Sequence, residues 1–113
     1  MGAKKNDILQ GTLVLLILKT LASNKRLHGY AITNSIQEVS AQLLRVEEGS
    51  LYPALQRLLK AGFLKSEMGL SARSRPVRVF KLTAAGRKRL EEERSSFEKM
   101  FAGINRVLTV AQS

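Results

Sequence analysis

Gly-Ser-Leu-Tyr-Pro-Ala-Leu-Gln-Arg-Leu-Leu-Lys-Ala, residues Gly49–Ala61, is the stretch that decides how the rest of the chain is read. Leu51, Leu55, Leu58 and Leu59 fall at i, i+4, i+7 and i+8, which is one apolar face of a helix. At about 100° per residue the opposite face carries Pro53, Gln56, Arg57 and Lys60, with Ser50 and Tyr52 at its margins. No acidic residue lies on it. Proline has no N–H and is tolerated best in a first turn, so Pro53 places the expected N-cap at Gly49 or Ser50, Ser50 being the better acceptor. Gly62 is expected to end the helix in the left-handed conformation.

Upstream, Asp7 and Gln10 resemble a capping box, and Ile8, Leu9, Leu13, Leu16, Ile17 and Leu21 recur at helical spacing up to about Ala22. Leu15 and Leu18 make this helix apolar on a second face, which needs a cover of its own. After a polar break at Ser23–Leu27, Tyr30–Val39 reads as a short helix with Ile32, Ile36 and Val39 on one stripe, joined to the decisive stretch by Ser40–Glu48. His28 and Tyr30 read as structural, closing the turn and filling the core.

Downstream, Phe63–Glu67 and Val77–Leu82 are short extended runs that make a hairpin. In the second run Val77, Val79 and Lys81 face one way, Arg78, Phe80 and Leu82 the other. The connecting loop, Met68–Pro76, carries Arg73 and Arg75 at its tip. Thr83 then caps a helix from Ala84 to about Val110, roughly 40 Å long. Leu90, Phe97, Ile104 and Ala111 repeat every seven residues, with Phe101 and Leu108 between them, an incomplete coiled-coil seam.

The whole chain of 113 residues holds one domain's worth of core, and its formal charge is +10. Polyanions are the first partners to consider. Of the 19 basic residues, 13 precede Thr83, against 5 of the 9 acids, so the positive field concentrates in the first three quarters. The absence of cysteine removes disulfides, thiolate metal sites and a thiol nucleophile, and a single histidine cannot build a multi-histidine zinc site. The run Leu13–Leu18 is too short to span a bilayer, and the N-terminus does not read as a secretory signal. A soluble, cytoplasmic, non-enzymatic protein without cofactor or metal is expected.

Helix, helix, helix and hairpin is the order of a winged helix-turn-helix, whose third helix enters the major groove while the hairpin follows the backbone. The expected fold is mainly α with a small β-hairpin. Residues 1–83 form the winged helix-turn-helix and residues 84–113 a long C-terminal dimerisation helix.

Four phrases carry a closer resemblance: Leu-Gln-Gly-Thr-Leu at Leu9–Leu13, His-Gly-Tyr-Ala-Ile at His28–Ile32, Glu-Gly-Ser-Leu-Tyr-Pro-Ala-Leu at Glu48–Leu55, and Leu-Thr-Ala-Ala-Gly-Arg at Leu82–Arg87. In this order, over about residues 9 to 90, the chain resembles the PadR family of bacterial transcriptional regulators, in the short-tailed branch with a single dimerisation helix. The resemblance implies a dimeric DNA-binding regulator. Val79 and Phe80 stand where family members commonly have an aromatic pair, and the chain has no tryptophan of the kind that drug-binding members use to stack flat ligands.

For DNA, Arg57 and Gln56 are the expected readers of base edges, Arg towards guanine and Gln towards adenine, with Lys60 on phosphate. Ser50 and Tyr52 suit a phosphate oxygen, Tyr52 having packing beneath the wing as its alternative, and Pro53 shares their face. Arg73, Arg75, Arg78 and Lys81 are expected on the backbone or in the minor groove, the alternative being solubilising charge on an edge hairpin. Lys4 and Lys5 make a basic arm whose role stays open.

For dimerisation, Leu13 and Ile17 are set against Leu90, Phe97, Met100, Phe101, Ile104 and Leu108 of the last helix. Two-fold symmetry then calls for a near-palindromic operator in double-stranded DNA, with half-sites about one helical turn or a multiple apart. The seam around Phe97, Met100 and Phe101 is either a filled core or a seat for a small apolar effector. A repressor is the reading drawn; a basic protein coating nucleoid or RNA without sequence preference, and a protein-interaction module, are the alternatives.

Overall fold

The apolar stripes of the first and third helices converge on one core, and the remaining elements close around them. The computed structural model describes residues 2–111, with side chains described for 12–111. In chain order the elements are α1 (Gly2–Ser23), β1 (Leu27–His28), α2 (Gly29–Val39), α3 (Glu48–Lys60), β2 (Leu64–Leu70), β3 (Pro76–Leu82) and α4 (Ala84–Thr109). The side chains of Lys4, Lys5, Asp7, Ile8, Leu9 and Gln10 lie outside the described residues. Because α1 starts at Gly2, Asp7 lies within the helix rather than at its cap.

Helix α1 touches α2, α3, α4 and β3. Leu13, Ile17, Leu18 and Leu21 are buried in it, together with Ile32 and Ile36 of α2, Leu51, Ala54, Leu55 and Leu58 of α3, and Leu64, Phe80 and Leu90. The second apolar face of α1 is therefore largely covered by the chain's own C-terminal half. Leu18 is fully buried, and among the described residues of α1 the apolar Val14, Leu15, Leu16 and Ala22 are half-buried.

His28 closes the turn before α2, as expected. Its Nδ1 accepts the Ala31 N–H at 3.3 Å. Tyr30 does not fill the core; it is 61% exposed. Val39 likewise leaves its stripe, because the chain turns away after it through Ala41 and Gln42, both at positive φ (53° and 67°). Val46 is buried and pins the connection, and α3 begins directly after it. Glu47, not Ser50, is the N-cap residue, and it makes no side-chain cap bond. The N–H groups of Ser50 and Leu51 both donate to the Glu47 carbonyl at 3.0 Å, so the backbone is helical before Ser50 is reached. Pro53 consequently sits in the second turn. It supplies no N–H to the Gly49 carbonyl, a cost kept small because Gly49 lies at the exposed start of the helix. Gly62 ends α3 at φ 82°, as expected.

The sheet has three antiparallel strands in the order β1-β3-β2, because the short β1 adds to the outer side of the hairpin through Leu27↔Phe80 and His28↔Val79. The register Ser66↔Phe80, Glu67↔Val79 and Met68↔Arg78 joins β2 to β3. Phe80 faces the helices and Val79 lies against Gly69 on the other face, so both neighbours are buried. The hairpin runs further than expected, to Leu70 and Pro76. Its tip closes with the Ser71 N–H donating to the Arg75 carbonyl and the Ser74 N–H to the Ser71 carbonyl. Ser74 takes the positive φ (59°) that such a three-residue loop requires.

Thr83 caps α4 as expected: its Oγ1 accepts the Gly86 N–H at 3.0 Å and donates to the Gly62 carbonyl at 2.8 Å. Gly86 and Leu90 are buried, whereas from Lys99 onward every described residue is exposed. The molecule accordingly measures 62 × 30 × 22 Å. No helix among the described residues is long and apolar enough to cross a membrane, and no cluster of three potential metal ligands occurs among them.

Gly86 is a point of close approach between α4 and the wing. A Cβ built on it would meet the Phe63 carbonyl oxygen and the Leu82 side chain well inside contact distance. Gly86→Ala is expected to lower the unfolding free energy by about 1 to 3 kcal/mol, as overpacking does. Urea denaturation measures it, and an unchanged midpoint would contradict the packing described.

Candidate nucleic-acid interface

With Leu51, Ala54, Leu55 and Leu58 buried, the rotation of α3 about its axis is fixed, and Tyr52, Pro53, Gln56, Arg57 and Lys60 are exposed along its outer side. Ser50 is half-buried at the margin of that side. Leu59 is half-buried rather than fully inside. Glu48, the acid in the first turn, suits the positive end of the helix dipole, and Arg57 and Lys60 in the last turn suit the negative end.

The wing joins this side through one cleft. A cavity of about 390 Å³ is lined by His28, Tyr30, Tyr52, Gln56, Val77, Arg78 and Phe80, so α3, the start of α2 and strand β3 share one surface. Tyr52 leans over Gly29, its hydroxyl so close that a Cβ there would lie 2.8 Å away, and it remains 47% exposed. Tyr52 thus packs on Gly29 and lines the cleft shared with the wing strand, with one edge exposed. The Arg78 guanidinium donates to Ser66 Oγ at 2.9 Å, which steadies it at the cleft. Arg73 and Arg75 are exposed at the wing tip, where the Ser71 hydroxyl accepts both of their N–H groups (3.3 and 3.2 Å).

Lys81 is not brought together with them. Strand alternation puts it with Val79 on the face away from Arg78 and Phe80. There it lies 3.6 Å from Glu67, which also holds Arg26 at 2.8 Å. Lys81 thus stands apart from the cleft, exposed on the opposite face of the wing. Conversely, Tyr30, expected in the core, stands exposed at the cleft. The available signal was its position two residues after a capping histidine, at the start of a short helix.

The residues expected at a dimer seam divide in two. Leu13, Ile17 and Leu90 are buried in the chain's own core, at 1%, 0% and 4% exposure, and have no surface for a partner. This corrects their assignment, and the reason is that α4 folds back on α1 within one chain. Phe97 is half-buried and stacks on Phe101, centroids 6.1 Å apart at 16°. Met100, Phe101, Ile104 and Leu108 are exposed, and Val107 and Val110 join them. Between α1 and α4 an open groove of about 200 Å³ is lined by Thr12, Leu15, Glu93, Ser96, Phe97 and Met100.

Comparison with known proteins bears on this arrangement. The model of the transcriptional regulator PadR-like family matches residues 17–92. A transcriptional regulator of Mycobacterium tuberculosis is 39% identical over 79 residues, 70% of each chain. Among solved structures, a PadR family transcriptional regulator of Eggerthella lenta superposes with a TM-score of 0.79 at 26% identity, covering 97% of this chain and 93% of that one. Bacillus subtilis PadR in complex with operator DNA shares the fold at 22% identity and a TM-score of 0.63, covering 90% of this chain and 49% of that one.

Proposed function

The chain belongs to the PadR-like family of transcriptional regulators, a family of regulators rather than enzymes, and on that premise we propose that it is a homodimeric, sequence-specific repressor acting on double-stranded DNA in the cytoplasm. The observation that carries this reading is the acid-free, exposed side of α3, continuous through one cleft with an arginine-bearing wing. That a family member of the same fold was solved with operator DNA supports it.

In this reading residues 1–83 are the DNA-binding unit. Arg57 and Gln56 read base edges in the major groove, each good bidentate contact contributing about 1 to 3 kcal/mol of discrimination. Ser50, Tyr52, Pro53 and Lys60 position α3 against phosphates, and Arg73, Arg75 and Arg78 carry the wing along the backbone. Residues 84–113 dimerise through Phe97, Met100, Phe101, Ile104 and Leu108, together with the half-buried Leu15 of α1. Exposed apolar residues in a row on a rod that leaves its own core are surface awaiting a partner. A two-fold pair places two recognition helices over half-sites about one helical turn or a multiple apart, and the bound dimer occludes a promoter. The open groove beside Leu15 and Phe97 favours a second role for the same seam, the seating of a small apolar effector that alters helix spacing.

Affinity comes mainly from phosphate neutralisation. Six to ten contacts imply a loss of about 10³- to 10⁵-fold between 50 and 200 mM salt.

Arg57→Ala is expected to weaken binding to a selected operator more than to random duplex, whereas Arg75→Ala weakens both alike and flattens the salt slope by about one. Fluorescence anisotropy titrations over a salt series measure both; an Arg57→Ala protein with unchanged sequence preference would contradict the role given to α3. Phe101→Glu is expected to give monomers in analytical ultracentrifugation while circular dichroism stays unchanged. A persisting dimer would move the interface elsewhere.

A further inference from the structure

The outer half of the wing carries apolar side chains that no described part of the chain covers. Met68 is 60% exposed and Leu70 70%, and Pro76 beside them is exposed as well. The pairs Met68↔Arg78 and Leu70↔Pro76 put all three on the face of Arg78, the face turned to the cleft beside α3. Edge strands are ordinarily protected by charge at such positions, so a bare apolar ridge on the edge strand β2 calls for a cover.

The surroundings of the ridge narrow what that cover is. From Met68 to Arg78 the chain holds Arg73, Arg75 and Arg78 and no acid, so the ridge is framed by positive charge. Glu67 lies on the opposite face of the wing with Arg26 and Lys81. A groove of nucleic acid, walled by phosphates and floored by stacked bases, complements an apolar centre in a basic frame. Reach points the same way. Ser66 pairs with the buried Phe80, and at about 3.3 Å per residue Leu70 stands about 13 Å further along the strand. With α3 in a major groove about 12 Å wide, that reach carries the ridge across the flanking strand to the neighbouring minor groove.

Met, Leu and Pro are among the side chains with which minor-groove proteins part base steps. A wedge has to be stiff, and the tip behind this one is tied. The Ser71 N–H donates to the Arg75 carbonyl at 2.8 Å, and the Ser71 hydroxyl accepts the N–H groups of Arg73 and Arg75.

Resting on the DNA-binding reading, we propose that Met68, Leu70 and Pro76 form a wedge that enters the minor groove flanking each half-site and partly unstacks one base step, so that the bound operator is bent. Arg73 and Arg75 lie against the phosphates at the lips of the groove and hold the wedge there. The three wedge side chains have no strong hydrogen-bonding group, so they read no base edge. Their preference is for steps that unstack easily, pyrimidine–purine steps above all, at positions that α3 does not touch. Each wedge is expected to kink the duplex by about 20° or more.

The test uses the full chain with Leu70→Thr and Met68→Thr, β-branched replacements that suit an exposed strand position and remove no charge. The probe is a duplex enriched by the wild-type protein from a random library. It is used in circularly permuted fragments for gel-shift bending, and with 2-aminopurine placed at successive positions along it. Wild type is expected to bend this duplex and to raise 2-aminopurine emission at one step in each half-site. Leu70→Thr is expected to reduce the bend by about half or more and to return emission towards that of free duplex, with the salt slope of binding unchanged because no phosphate contact is lost. Met68→Thr shifts both readouts in the same direction by less. Circular dichroism and urea midpoints establish that each variant is folded.

A wild-type complex whose duplex stays straight, with emission unmoved, would overturn the wedge and leave the α3 assignment standing. A folded Leu70→Thr protein that bends the duplex as wild type does would overturn it equally. Wild-type dimers that associate further in sedimentation without DNA, and lose that association in Leu70→Thr, would overturn it as well, the ridge then being covered by a second wing. A wild-type protein that enriches and binds no duplex would overturn the wedge and the DNA-binding reading together.

Discussion

The leucine side of α3 pressed against α1 is the contact on which the rest of the molecule depends. Leu51 and Leu55 are at most 1% exposed, and so are Leu13, Ile17 and Leu18 of the opposing helix. Burying each such side chain contributes about 1.5 to 3 kcal/mol, and rotating α3 by a single residue would bring a charged or amide side chain into that core. The rotation of the helix is therefore set by its apolar half, and the chemistry it offers to a partner follows from the same constraint. The wing and α2 then only have to be placed beside a surface already defined. They are placed by Phe80 and Leu64 on one side and by Ile32 and Ile36 on the other.

What was legible in the residues follows from how local each signal is. The two sides of α3 are a pattern within one element, and Leu51, Leu55 and Leu58 are found inside with Gln56, Arg57 and Lys60 outside. The cap at Thr83 and the turn at Gly62 are equally local and were readable for that reason. Readings that depended on distant chain were missed. Leu13, Ile17 and Leu90 look like surplus apolar surface until α4 is seen to return onto α1, which no window of the sequence reveals. Ser50 is the better capping residue by type, yet the buried Val46 starts the helix earlier. The two residues of β1 are too few to show alternation, and they exist as a strand because β3 offers them an edge. The tight wing tip has no glycine to announce it, Ser74 taking the left-handed position instead.

The same division explains the candidate interface. Arg57 and the wing arginines could be listed from charge alone, and strand alternation separates Arg78 from Lys81, but which of the two faces lies beside α3 is decided by how the wing packs. Arg78 and Lys81 differ in that respect, one at the cleft beside α3 and the other bound to Glu67 behind the wing. The apolar end of α4 is the remaining large feature without a place in the core. Its exposure begins where the rod leaves the body of the domain, and it is the surface that the proposed dimer would cover.

The central claim is that the outer side of α3 lies in the major groove, twice per complex. Guanine N7 is exposed only there, so interference by dimethyl sulfate methylation on a duplex selected by the protein tests it most directly. The account predicts interfering guanines in two symmetric clusters with centres about one helical turn or a multiple apart. Binding that is indifferent to N7 methylation, or interference confined to a single cluster, would contradict it.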